Sequence, residues 1–118
     1  MSELKIAVYG VGGVGGYFGA TLARAGYSVS LIARGEHLNA IREQGLRIVT
    51  PKKEFTITPA SASDNPADIG PVDIVLVGVK AWQVPDAAKA MRPLLKPDTR
   101  VVPLQNGVEP VDQLAQVL

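Results

Sequence analysis

The chain has 118 residues, of which 47% are hydrophobic and 19% are charged, so it suits one packed domain and its composition is not that of a disordered segment. Its 12 basic and 11 acidic residues leave a net charge of +1, and without a basic excess we expect no nucleic-acid partner. The absence of cysteine excludes disulfides, thiolate nucleophiles and cysteine-based metal sites, and a single histidine argues against a zinc site, so we expect no bound metal.

The chain opens with a strand–helix–strand pattern. Residues 4–9 are mostly apolar and β-branched, which predicts a buried strand, and residues 13–25 predict a helix that Gly26 ends. Residues 28–33 predict the second strand because apolar and polar side chains alternate there. The helix residues that share one face, and that we expect to pack, are Val14, Phe18, Leu22 and Ala25.

The middle of the chain gives weaker patterns. Residues 36–44 predict a short helix, and residues 46–50 predict a third strand. Residues 54–58 alternate cleanly and suit a hairpin with that third strand. Residues 61–71 are rich in Pro, Ala, Ser and Asp, which predicts a loop with little share in the core.

The last third returns to strand–helix alternation. Residues 72–79 are the strongest strand signal, and residues 84–95 predict a helix interrupted by Pro93. Residues 100–104 predict the next strand, and residues 109–118 a final helix. This order predicts an α/β fold, a doubly wound and mainly parallel sheet with helices on both faces.

Two further expectations concern the ends of the chain and its location. The final helix pattern runs to the last residue without a capping signal, so we expect residues 1–118 to be an N-terminal piece of a longer protein; a complete small domain with a frayed end is the alternative. No stretch approaches the roughly 20 apolar residues of a membrane span, and the N-terminus lacks a signal-peptide pattern. We expect a cytoplasmic protein without a membrane partner.

A glycine motif joins the first strand to the first helix. It fits G-x-G-x-x-G and consists of Gly10, Val11, Gly12, Gly13, Val14 and Gly15. Gly10 would permit the tight turn, Gly12 would let a pyrophosphate approach the backbone, and Gly15 would let helix and strand pack closely. The motif therefore predicts a dinucleotide site, with a glycine-rich turn that binds no ligand as the alternative.

The end of the second strand predicts which dinucleotide binds. An acid there would bind the ribose of NAD, whereas Arg34 lies 19 positions after Gly15 and suits the 2′-phosphate of NADP. Glu36 falls in the first turn of the next helix, where its negative charge interacts favourably with the helix dipole. We predict NADP, with a solvated Arg34 as the alternative.

Two more polar side chains follow strands at the ligand-binding edge of such a sheet. Lys80 follows the strongest strand and suits a cofactor phosphate or an anionic substrate, although a solvated lysine is the alternative. Asn106 follows the next strand and can donate and accept hydrogen bonds, although Asn also favours a turn before Gly107. We interpret His37 as solvated and Tyr17 as a packing residue, and assign neither to chemistry.

Four segments together resemble the N-terminal domain of ketopantoate reductases (2-dehydropantoate 2-reductases). They are GVGGVGGYFG at 10–19, LIARGEHL at 31–38, VGVKA at 77–81 and LQNGVE at 104–109. The resemblance implies a Rossmann-type NADP-binding domain over residues 1–118, followed in such proteins by a helical substrate domain. It also implies NADPH-dependent reduction of ketopantoate to pantoate, on the pantothenate route to coenzyme A.

The resemblance assigns roles to residues as well. It implies that Gly10 to Gly15 bind the pyrophosphate, that Arg34 and Lys80 bind the 2′-phosphate, and that Asn106 contacts both cofactor and substrate. The catalytic lysine of the family lies in the helical domain, so no catalytic residue is expected in this chain, and the chain alone should bind cofactor without turnover. Reduction of another 2-oxo acid and a non-catalytic NADP-sensing module remain the alternatives, and a homodimer is compatible with each.

Overall fold

A computed structural model of the protein describes residues 4–11, 13–79 and 84–104, with the backbone alone at 13, 14 and 84. The strands are β1 (Lys5–Tyr9), β2 (Ser28–Ile32), β3 (Leu46–Val49), β4 (Glu54–Ile57), β5 (Ser61–Ser63), β6 (Ile74–Val77) and β7 (Arg100–Pro103). The helices are α1 (Gly13–Arg24), α2 (Gly35–Gln44) and α3 (Val84–Ala90), and short 3-10 turns span Pro66–Asp68 and Arg92–Leu94. The predicted helix at 109–118 lies outside the described residues.

Five strands form a parallel sheet in the order β5-β2-β1-β6-β7. The central strand β1 pairs with β2 and β6, so Val8 lies between Leu31 and Leu76. The chain leaves β1 towards β2 and β5 on one side and later fills β6 and β7 on the other. Right-handed crossovers then place α1 and α2 on one face and α3 on the opposite face. The predicted doubly wound α/β architecture is confirmed.

The edge strand beside β2 is the main departure from the sequence prediction. Residues 46–57 form a separate antiparallel hairpin, β3–β4, as the alternation at 54–58 suggested. The sheet edge is β5, within the segment predicted to be a loop, and Ser63 there is only 3% exposed. The prediction was wrong for these three residues because Ser-Ala-Ser has no strand signal of its own. Pairing defines the strand: the Ser61 hydroxyl donates to Ser30 Oγ at 2.9 Å, and the Ala33 amide donates to the Ser63 carbonyl at 3.0 Å.

The buried face of α1 also differs from the prediction. Phe18 is 47% exposed and packs edge-on against the exposed Tyr17, whereas the buried positions are Gly15, Gly16, Gly19 and Ala20. The helix lies so close to β1 that a Cβ added to Gly19 would come within 2.8 Å of Val8 Cγ2. Small residues therefore form the closest contact with the sheet. Of the predicted packing face, Leu22 is partly buried and packs against the core, whereas Phe18 and Ala25 are exposed.

The core has two parts, one on each face of the sheet. Ile6, Val8, Val29, Leu31 and Ile41 belong to the cluster under α1 and α2. On the other face, residues of β1 and β6 pack against α3 and the turn that follows it. The strands contribute Ala7, Val75 and Val77, and the helix and the segment after it contribute Ala88, Met91 and Leu94.

The amino edge of the sheet is closed by a charged group. The backbone amide of Lys5 donates to Asp73 Oδ2 at 2.8 Å, and the Lys96 ammonium forms an ion pair with the same carboxylate. Both hydrogen bonds lower the pKa of Asp73 below its ordinary value, and the bond from the Lys5 amide has the larger effect, followed by the bond from Lys96. The Asp73 side chain in turn raises the pKa of Lys96.

No helix among the described residues is long and apolar enough to cross a membrane.

Candidate functional site

The turn from β1 into α1 lies at the carboxyl edge of the sheet and depends on glycine at position 10. Gly10 has a φ of +97°, a conformation that side chains of L-residues disfavour. A Cβ there would also lie 2.7 Å from Val79 Cγ1 and 2.8 Å from the Val79 backbone nitrogen. Conformation and space therefore both require glycine, and the tight turn predicted from the motif is present.

A second glycine contact holds the start of α1 against the end of β6. A Cβ added to Gly78 would lie 2.9 Å from Gly15 Cα and 2.6 Å from the carbonyl oxygen of Gly10. The predicted close packing at Gly15 is thus present, and its partner is Gly78, which sequence reasoning gave no role. The available signal was a glycine directly after the strongest apolar strand. Together these contacts place the first turn of α1, whose amides lack intrahelical acceptors, beside the ends of the central strands.

A cavity of about 700 Å³ opens at this edge. Its walls come from the segments that follow β1, β2, β5 and β6, together with α2 and α3. Gly10 and Val11 line it at the glycine turn, and Gly78 and Val79 line it after β6. The Val11 side chain is only 5% exposed and belongs to the core under α1. The cavity sits where the strand order reverses, the usual ligand position in an open parallel sheet.

Arg34 brings positive charge to this cavity. It lies between β2 and α2 in an extended conformation, with φ −150° and ψ 167°, and its exposed side chain makes no capping hydrogen bond. Within the described part of the chain no carboxylate forms an ion pair with it. A guanidinium beside a cavity and without an internal partner is suited to bind an anion.

Tyr9, the last residue of β1, lines the same cavity. Burial raises the pKa of its phenol, and the nearby charge of Arg34 partly opposes that shift. The phenol therefore stays neutral at physiological pH, with a hydroxyl that can donate or accept a hydrogen bond. Sequence reasoning did not identify Tyr9 because it counted the residue only as part of a buried strand.

Three further polar residues converge on the cavity from separate elements. His37 comes from α2, Asp64 follows β5, and Asp86 lies in the first turn of α3. His37 is exposed, as predicted, but it also lines this cavity. Asp64 was missed because β5 was not recognised as a strand, so nothing marked its next residue as a ligand-binding position. Across the described ranges no group of three or more His, Asp or Glu residues could hold a metal ion.

Several predicted site residues cannot be placed beside this cavity. Gly12, Lys80 and Asn106 lie outside the described residues. Gly13 and Val14 begin α1, and only their backbone is described. The structure therefore brings Gly10, Val11 and Arg34 to one cavity and packs Gly15 against Gly78 beside it, while the ligand contacts of every predicted site residue remain predictions.

Comparison with known proteins gives a consistent set of relatives. Residues 6–118 match the protein family described as ketopantoate reductase PanE/ApbA. The 2-dehydropantoate 2-reductase of Mesorhizobium japonicum is 40% identical over 106 residues, which are 89% of this chain and 32% of that protein. This chain thus spans about a third of that relative.

Solved structures agree with this result. The crystal structure of 2-dehydropantoate 2-reductase from Porphyromonas gingivalis W83 is 42% identical, with a TM-score of 0.90, over 99% of this chain and 43% of that one. A ternary structure of D-mandelate dehydrogenase with NADH and anilino(oxo)acetate is 29% identical, with a TM-score of 0.85, over 98% of this chain and 38% of that one. The same fold therefore serves relatives with different names and substrates.

Proposed function

The chain belongs to the ketopantoate reductase family, and from that premise we propose that it is the cofactor-binding part of an NADPH-dependent 2-dehydropantoate 2-reductase. The full-length protein would reduce ketopantoate to pantoate in pantothenate and coenzyme A biosynthesis. The observation that supports the cofactor assignment is a tight glycine turn beside a cavity lined by Arg34, whose guanidinium forms no ion pair with a carboxylate of the described residues.

The residues present fit a dinucleotide. The backbone from Gly10 to Gly15 would hold the pyrophosphate at the start of α1, where free amides and the helix dipole favour an anion. Arg34 and Lys80 would bind the 2′-phosphate. A volume of about 700 Å³ lies within the range of small-molecule sites.

The chemistry divides between this chain and the remainder of the full-length protein. When bound, the nicotinamide supplies the hydride, and the protein supplies position and charge. Asn106 would contact both cofactor and substrate, which would orient the ketone. We assign no proton donor to this chain, because the family's catalytic lysine belongs to the helical domain. The 118-residue chain should therefore bind NADPH and leave ketopantoate unchanged.

The D-mandelate dehydrogenase structure favours a second candidate. That protein is named for a different 2-hydroxy acid and was solved with NADH. The alternative is therefore a reductase of another 2-oxo acid that accepts NADH. For both candidates we propose a cytoplasmic enzyme with a small anionic substrate, no nucleic-acid or membrane partner, and a homodimer as the assembly to test.

One experiment separates the two candidates. Purified full-length protein is titrated calorimetrically with NADPH and NADH and then assayed with ketopantoate and with an aromatic 2-oxo acid. We expect preference for NADPH and for ketopantoate, and no turnover by the 118-residue chain. Preference for NADH and the aromatic acid would replace the first candidate by the second. Binding of neither nucleotide would overturn both candidates.

A further inference from the structure

His37 occupies a distinctive position relative to Arg34. It is the third residue of α2, three positions after Arg34, and both side chains line the same cavity. Leu38 and Ile41 form the buried side of this helix, whereas His37 is exposed. Within the described residues the imidazole makes no hydrogen bond or ion pair, so no internal contact accounts for its place beside the cavity.

A role in stabilising α2 does not explain this position. A positive charge in the first turn of a helix opposes the helix dipole, and only Glu36 offsets it there. A protonated histidine would therefore weaken the isolated helix. The same charge becomes favourable when an anion lies in the cavity.

We propose that His37 is a second recognition residue for the 2′-phosphate, beside Arg34, and that it makes the preference for NADPH over NADH depend on pH. This inference rests on the proposed function. The two cofactors differ only in that phosphate, so a group that contacts it changes the affinity for NADPH and leaves the affinity for NADH unaltered. An imidazolium donates a charged hydrogen bond, which the neutral ring does not.

The other titratable groups of the cavity set the background for this effect. Tyr9 on β1 is neutral, Arg34 is cationic, and Asp64 after β5 and Asp86 on α3 supply carboxylates. Two carboxylates on the cavity walls oppose binding of a phosphate dianion. An additional positive charge beside Arg34 would offset that repulsion. Of the side-chain types that line the cavity, histidine is the one whose charge ordinarily changes between pH 5 and 8.

The test measures NADPH and NADH affinities of the full-length protein by calorimetry at pH 6, 7 and 8. The variants are His37→Gln, His37→Lys and, as a control on the same helix, Asn39→Gln, since Asn39 is exposed and does not line the cavity. The 2′-phosphate itself titrates near pH 6, so each variant is compared with the unaltered protein at the same pH. The affinity for NADH reports whether each variant has kept its fold.

We expect His37→Gln to lower NADPH affinity about tenfold at pH 6 and much less at pH 8, with NADH affinity unchanged. His37→Lys should retain high NADPH affinity at pH 8, because its charge persists, and Asn39→Gln should match the unaltered protein. Equal NADPH-to-NADH affinity ratios in His37→Gln and the unaltered protein at every pH would overturn the inference. If Arg34→Gln still lost NADPH affinity in that case, the proposed function would stand without it; a protein that binds no NADPH would overturn both.

Discussion

Replacing Gly10 by alanine tests the geometry on which the candidate site depends. The backbone at this position has a φ of +97°, and a non-glycine residue held in such a conformation costs about 1–3 kcal/mol. The new Cβ would also lie 2.7 Å from Val79 Cγ1, 2.8 Å from the Val79 nitrogen and 2.9 Å from the Gly78 carbonyl carbon. Two of these three atoms belong to backbone, so a side-chain rotation cannot relieve the contact. Overpacking of this kind costs about 1–3 kcal/mol in addition.

The chain offers a matched control at Gly26. That glycine has a φ of +104°, and a Cβ added to it would meet nothing within 4 Å. Gly26→Ala therefore carries the backbone cost alone, whereas Gly10→Ala carries the backbone cost and the steric cost. The difference between the two variants isolates the packing of the turn against the end of β6.

Thermal and urea unfolding of both variants measure this difference. We expect Gly10→Ala to lower the free energy of unfolding by about 2–6 kcal/mol and Gly26→Ala by about 1–3 kcal/mol. At roughly 4 °C per kcal/mol for a domain of this size, Gly10→Ala should lower Tm by about 8 °C or more. Equal destabilisation by the two substitutions would refute the close contact between the glycine turn and β6.

Three other predictions address the cofactor, the amino edge and α1. Arg34→Gln should reduce NADPH affinity about 10- to 100-fold in calorimetric titrations and spare NADH affinity, because it would remove the charged hydrogen bond to phosphate proposed above; unchanged preference would remove Arg34 from the site. Asp73→Asn should reduce the acid sensitivity of unfolding: the pKa of Asp73 is lowered in the fold, so its contribution is present above the ordinary carboxyl pKa of about 4 and disappears as pH falls through the lowered value. Parallel stability–pH curves for variant and parent would contradict that reasoning. Phe18→Ser should lower the free energy of unfolding by about 1–2 kcal/mol, because Phe18 is 47% exposed and only half of its apolar surface is buried; a loss of about 3–5 kcal/mol would place Phe18 in the core instead.

Local sequence determined the framework of this protein. Strands β1 and β6 are apolar runs, and hairpin strand β4 alternates, so each was predicted from its own residues. The tight turn at Gly10 was predicted from its place between a strand and a helix. The choice of Arg34 as a candidate site residue was predicted from its place after β2. These features depend on short-range propensity and on the chain direction of a parallel sheet, both of which a sequence displays directly.

Tertiary structure decided which surfaces meet. Strand β5 exists because its backbone pairs with β2, and the buried side of α1 is its glycine side because the helix approaches β1 too closely for Phe18. The convergence of His37, Asp64 and Asp86 on one cavity likewise depends on strand order and helix placement. Contacts between residues distant along the chain arise from close packing of the whole domain, and no local pattern of side chains encodes them.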